Sequence, residues 1–169
     1  MRVIRPMLKQ LVSIVATISI VAAPAIAQNN AEIAKVRDGQ SCAGCNLFQA
    51  ELAYQDASKI DLSQARLRQS NLALTTFDDV NLSGANLSVA NLFGARFNRA
   101  DFARANLQNV IAVGTYFGAS NLTNANLSGA NLSGADLTIV KGLTQLQLNR
   151  ACGDDNTRLP RGKTIPACK

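Results

Sequence analysis

The chain has 169 residues, 47% apolar and 17% charged, the size and balance of one ordinary domain, neither disordered nor disulfide-dense. It contains neither His nor Trp, so the imidazole that serves as the commonest general base and metal ligand is missing, and most hydrolase constellations would need substitutes. The net charge of +6 is uneven: three cations sit in the first 27 residues, residues 28–139 are close to neutral, and residues 140–169 are basic, which argues against a nucleic-acid surface.

Residues 1–27 predict a signal peptide, with Arg2, Arg5 and Lys9 as its charged start, an apolar run from Leu11 to Ala23, and the small-residue site Ala25-x-Ala27. Cleavage after Ala27 gives a periplasmic or secreted protein beginning at Gln28. No stable membrane span is expected after cleavage, because the apolar run is short of about 20 residues and Pro24 interrupts its end. Arg2 and Arg5 are not adjacent, so the leader carries no twin-arginine signal. Residues 28–44 read as an N-terminal cap, with Asn30 capping a short helix over "AEIAKVR" (31–37) and Asp38-Gly39 stopping it.

From Cys45 to Ile139 one frame of five holds for nineteen units without an insertion. Seventeen unit centres are Leu or Phe, from Leu47, Leu52 and Leu62 to Leu132 and Leu137, and Ala57 and Ala112 are the exceptions. Two residues before most centres stands Ala, as at Ala50, Ala85, Ala90 and Ala130, and between the two sits a polar residue, usually Asn or Asp. A period of five fits neither the turn of a helix nor the alternation of a strand. Asn81, Asn86, Asn91, Asn121, Asn126 and Asn131 are read as corner residues bonding their own backbone two residues on, rather than as a ligand ladder. Calcium-binding repeats need carboxylate clusters with Gly at set places, and this frame has none, so no metal and no cofactor is expected.

The pattern resembles the pentapeptide-repeat family, A(D/N)LXX, over residues 45–139. The resemblance implies an all-β fold, a right-handed quadrilateral parallel β-helix in which each pentapeptide is one side, four make a coil, and the centre and the small residue point inward. Residues twenty apart then stack, which puts Ala57, Phe77, Phe97, Phe117 and Leu137 on one wall. Volume is compensated locally, with Val110 beside Ala112 and Gln55 beside Ala57, as a close-packed interior demands. Short helical caps are expected at both ends, since an open end exposes unpaired backbone.

Residues 140–169 supply the second cap. Thr144 and Gln147 make a capping box in "TQLQLNRA", Gly153 is its expected stop, and Leu143, Leu146 and Leu148 its apolar face, followed by an irregular basic tail with Pro160 and Pro166. The four cysteines allow three connectivities. The implied rod separates Cys42 and Cys45 from Cys152 and Cys168 by more than the ~7 Å limit for bridging unless the tail folds back, which favours Cys42–Cys45 and Cys152–Cys168. "CAGC" also admits a redox reading, but Cys45 falls on an inward position rather than at a strand-to-helix turn. Position 46 is Asn, not the His of a haem-attachment motif, and a four-cysteine zinc site would need the two ends to meet.

With the interior filled, only outer walls and caps can bind anything. On the wall with centres 52, 72, 92 and 112, the outward residues include Tyr54, Leu74, Phe93, Ile111 and Val113. A contiguous apolar stripe of this kind suits an unknown protein partner or self-association. The neighbouring wall carries Lys59, Asp79 and Arg99 in one column, a plus-minus-plus ladder. Arg66 and Arg68 lie on another wall, so no basic stripe forms and no nucleic acid is expected. Some members of the family resemble DNA and protect a type II topoisomerase, but a nearly neutral rod and an exported chain depart from that alternative. No catalytic residue is expected either, because the repeats have no loops to build a groove around pairs such as Asp78 and Asp79. The sequence therefore reads as a non-enzymatic, exported scaffold or binding module.

Overall fold

The computed structural model describes residues 28–169; the expected leader and its cleavage site lie outside the described residues. Helix α1 (Asn30–Arg37) is capped by Asn29, one residue earlier than expected, because the extended backbone of Asn29 lets its side chain accept from the Glu32 N–H at 3.3 Å. Asp38 and Gly39 end the helix as expected, Gly39 with φ 69°. Ile33 and Val36 are buried and close the bottom of the core. The free backbone below the first coil is met by side chains: the Asn46 N–H donates to Glu32 (2.6 Å), the Asp61 N–H to Ser41 (2.9 Å), and Arg37 donates to the Glu51 carbonyl (2.7 Å).

From Asn46 onward the chain climbs as parallel bridges between residues twenty apart, as in Asn46↔Arg66↔Asn86↔Asn106↔Asn126 on the first wall. The same spacing starts the second wall at Glu51, the third at Asp56 and the fourth at Asp61, so four pentapeptides make one square coil. Most corners are β-turns closed by the centre's carbonyl, as in Ala50 N–H to Leu47 at 3.1 Å, whereas Ile60, Val80 and Ala100 on the third wall make no such bond. The residue before the closing one takes positive φ, as at Gln49 (54°), Leu74 (57°) and Val89 (61°). Asn81, Asn86, Asn91, Asn121, Asn126 and Asn131 each accept from the N–H two residues on, at 3.0–3.1 Å. These Asn residues are corner chemistry, as read from the sequence.

Every unit centre is buried, Ala57 and Ala112 included. On the third wall Phe77 meets Phe97 edge-on with centroids 6.2 Å apart and Phe97 stacks on Phe117 at 6.0 Å, while Phe102 of the fourth wall meets Phe97 edge-on at 5.2 Å. Where a hydroxyl replaces the small inward Ala it bonds a carbonyl: Ser70 to Leu67 (2.6 Å), Thr75 to Leu72 (3.0 Å), Thr115 to Leu92 (2.7 Å) and Ser120 to Phe97.

At the top the ladder loses its period. Asn121 pairs with Lys141 on the fourth wall, Asn131 with Cys152 on the second and Asp136 with Arg158 on the third. Helix α2 (Gln145–Leu148) lies in the gap, and the Thr144–Gln147 capping box is present. Two expectations are corrected here. Helix α2 ends at Asn149 rather than Gly153, because the chain must rejoin the ladder at Cys152, and Gly153 bridges Ala167 instead. Leu143 and Leu148 are buried, whereas Leu146 points away from the core and is 63% exposed. Cys42 and Cys45 lie at disulfide distance, as do Cys152 and Cys168, with Cα atoms 5.5 and 4.7 Å apart.

Candidate interaction surface

The geometry of a coil sorts outer side chains into columns. On the second wall the column just after the centres holds Ala53, Ala73, Phe93 and Val113, and the corner beyond holds Tyr54, Leu74, Gly94 and Gly114. Ladder bonds tie these columns together: Tyr54 N–H to Ala73 (3.0 Å), Leu74 N–H to Phe93 (2.8 Å) and Gly94 N–H to Val113 (2.9 Å). Ile111 stands on the same wall one coil above Asn91. Tyr54 is 76% exposed, Phe93 and Ile111 49% and Leu74 45%, while Val113 is half-buried. The five residues proposed from the sequence thus share one wall and its corner.

Gly94 and Leu74 explain each other. The Leu74 Cδ2 lies 2.7 Å from where a Gly94 Cβ would stand, so Leu74 lies flat over the next coil only because that corner has no side chain. Val89, 46% exposed on the corner that leads into this wall, extends the apolar surface and was not picked out from the sequence. The signal was there in the twenty-residue columns, because Val89 is the one aliphatic in a column of Gln49, Gln69, Asn109 and Gly129. By contrast, Phe48 on the first wall is covered by the Arg68 guanidinium at 5.9 Å.

The third wall is charged and self-paired. Arg96 holds Asp78 at 2.8 Å and Arg99 holds Asp79 at 2.6 Å, both through two-pronged bonds. The Arg99 bonds keep the Asp79 carboxyl below the usual carboxylate range, and the field of Lys59 adds to this. Lys59 makes no ion pair among the described residues, so the expected ladder is a pair with a third charge beside it. Among the described residues no cluster of His, Cys, Asp and Glu could hold a metal, and no helix is long and apolar enough to cross a membrane.

Residues 45–84, 60–99, 70–109 and 100–138 match the family described as pentapeptide repeats (8 copies), which together cover more than half of the chain. The chain belongs to the pentapeptide repeat family. Similar solved structures include a pentapeptide repeat protein of the Arabidopsis thaliana thylakoid lumen, 29% identical over 60% of this chain and 71% of that one, TM-score 0.41. Another is the pentapeptide repeat protein Rfr23 of the cyanobacterium Cyanothece, 22% identical over 76% and 97%, TM-score 0.33. A third is QnrB1, a plasmid-mediated fluoroquinolone resistance protein, 18% identical over 73% and 76%, TM-score 0.41. No curated protein matches the chain. Membership in the pentapeptide repeat family accounts for the repeating interior.

Proposed function

We propose that this chain is a non-enzymatic binding or scaffold module of the cell envelope that docks a protein partner, or a second copy of itself, on its second wall. The observation that carries this reading is the uncovered apolar surface of Tyr54, Leu74, Phe93 and Ile111 on a rod whose other outer walls are mainly polar or ion-paired. Export agrees with the predicted leader at 1–27 and with four cysteines grouped in two pairs at disulfide distance. The intact mass of periplasmic protein, beginning at Gln28 and resistant to thiol alkylation, would support export; four free thiols in full-length cytoplasmic protein would refute it.

DNA mimicry requires a sustained negative surface, and here Asp78 and Asp79 are each neutralised by an Arg. The test of the binding face is the double variant Leu74→Asp with Phe93→Asp. Both side chains point outward and both backbone bonds remain, and Asp tolerates the positive φ of position 74 better than Leu. Sedimentation and photo-crosslinking from position 93 in envelope extracts should show an assembly that the double variant loses at unchanged unfolding temperature. A wild-type chain that stays monomeric and crosslinks to nothing sinks the proposal.

A further inference from the structure

The top of the first wall lacks its strand. Eighteen of the nineteen unit centres donate their N–H to a carbonyl or its equivalent one coil above; Leu127 does not. The register predicts its partner at position 146, twenty residues beyond Asn126, but there the chain has turned into α2. The missing strand's donor has a substitute: Gln147 Nε2 donates to the carbonyls of Leu122 and Ala125, both at 2.9 Å. Its acceptor has none. Leu127 is only 2% exposed, and a buried N–H without an acceptor is destabilising.

Over this N–H lies a cavity of about 520 Å³ lined by Asn124, Leu127, Thr144, Leu146, Gln147 and Arg150 among others. The Asn124 N–H also makes no hydrogen bond. Arg150 is exposed and forms no ion pair among the described residues, while its backbone carbonyl is fixed by the Gly129 N–H at 2.7 Å. Leu146 supplies an apolar wall. One acceptor is wanting, and the residues that line the cavity include a cation, Arg150, and an aliphatic, Leu146.

We infer that this cavity is a second binding site, distinct from the second wall, and that it takes the C-terminal carboxylate of a peptide ending in an aliphatic residue. One carboxylate oxygen accepts from the Leu127 N–H and the other meets Arg150, while the last side chain of the peptide packs on Leu146. A carboxylate fits better than a neutral carbonyl because charge-assisted bonds are roughly twice as strong. A longer strand does not fit, since Gln147 already occupies the Ala125 carbonyl that the strand would need.

The test is an amide NMR titration of the full chain, with both cysteine pairs oxidised, using the N-acetylated dipeptide alanyl-leucine and, separately, its C-terminal amide. The free acid should shift the Leu127 and Asn124 amides saturably, and the amide should bind about tenfold more weakly. Arg150→Gln keeps the Arg150 carbonyl bond to Gly129, so its spectrum should be otherwise unchanged while affinity for the acid falls to that of the amide. No movement of either amide at millimolar probe overturns the inference. Equal binding of acid and amide, or full binding by Arg150→Gln, overturns it as well.

Discussion

The second and third walls of the rod are built on the same pentapeptide frame and come out opposite. The third wall is large inside and charged outside: Phe77, Phe97 and Phe117 are in ring contact in its core, and Arg96 and Arg99 pair with Asp78 and Asp79 on its surface. The second wall has Leu52, Leu72, Leu92, Ala112 and Leu132 inside, all fully buried, and Tyr54, Phe93 and Ile111 outside. Two residues in each unit point in and three point out, so packing and surface chemistry are set by different positions. The interior can therefore be filled for stability while an outer wall is free to carry recognition.

The sharpest way to break this comparison is from the inside. Phe97 touches three rings, at 6.2, 5.2 and 6.0 Å. Phe97→Ala should cost about 4 kcal/mol in denaturant unfolding, against about 3 kcal/mol for Leu92→Ala on the second wall. Equal losses would mean that the aromatic column adds nothing, not even its extra volume. The ends of the two walls also differ. The third is topped by Arg158, which pairs with Asp136 at 3.3 Å, whereas the second is topped by Cys152, at disulfide distance from Cys168. Replacing both of those cysteines by Ser should cost about 3 kcal/mol under oxidising conditions and nothing under reducing ones. A loss that persists in reductant would assign the stability to the packing of Leu159 and Ile165 instead.

Which parts were legible follows from where the information sits. The interior repeats every five residues, and the coil and its columns, with Phe77, Phe97 and Phe117 on one wall, followed from the family resemblance that this repeat carries. The top cap was not, because it lies where the period fails. The pairing slips from Asn121↔Lys141 to Asn131↔Cys152 and Asp136↔Arg158, and no local pattern says how a chain bridges that slip. Leu146 was assigned to the apolar face of α2 on helix spacing, yet a helix of one turn buries only the side that meets the coil, here Leu148. The unpaired Leu127 N–H is a property of a missing strand, which no residue in the sequence records. The positive φ at all the corners but that of Ile139 was likewise hidden, since Val89 and Leu74 are unusual residues for it.

Those corners provide a smaller test of the same contrast. Gly114, on the second-wall corner, has φ 66° and open space where a Cβ would stand. Gly114→Val should therefore lose about 2 kcal/mol from backbone strain alone. Val89→Gly at φ 61° should gain about 0.5 kcal/mol, the relief of strain less the extra freedom of unfolded glycine. If Gly114→Val is neutral, the left-handed corner is cheaper in this fold than in isolated turns, and the glycines of the second wall are there for Leu74 to lie over rather than for the backbone.

The smallest effect is electrostatic and belongs to the third wall. The Arg99 bonds depress the Asp79 carboxyl, so the folded state holds the charged form more tightly than the unfolded chain does. Stability from this source is fully present above the unfolded carboxylate value of about 3.9 and is lost as the pH falls through the lower folded value. Asp79→Asn should then be slightly less stable than the parent at neutral pH and low salt, and the two should converge in acid and in high salt, where the charge or its reach is removed. Both side chains are solvent-facing, so the difference is one of tuning rather than of folding. A gap between the two proteins that survives in acid would mean that Asp79 stabilises its corner, at φ 56°, by something other than its charge, and the third wall would then be charged for a reason other than its own stability.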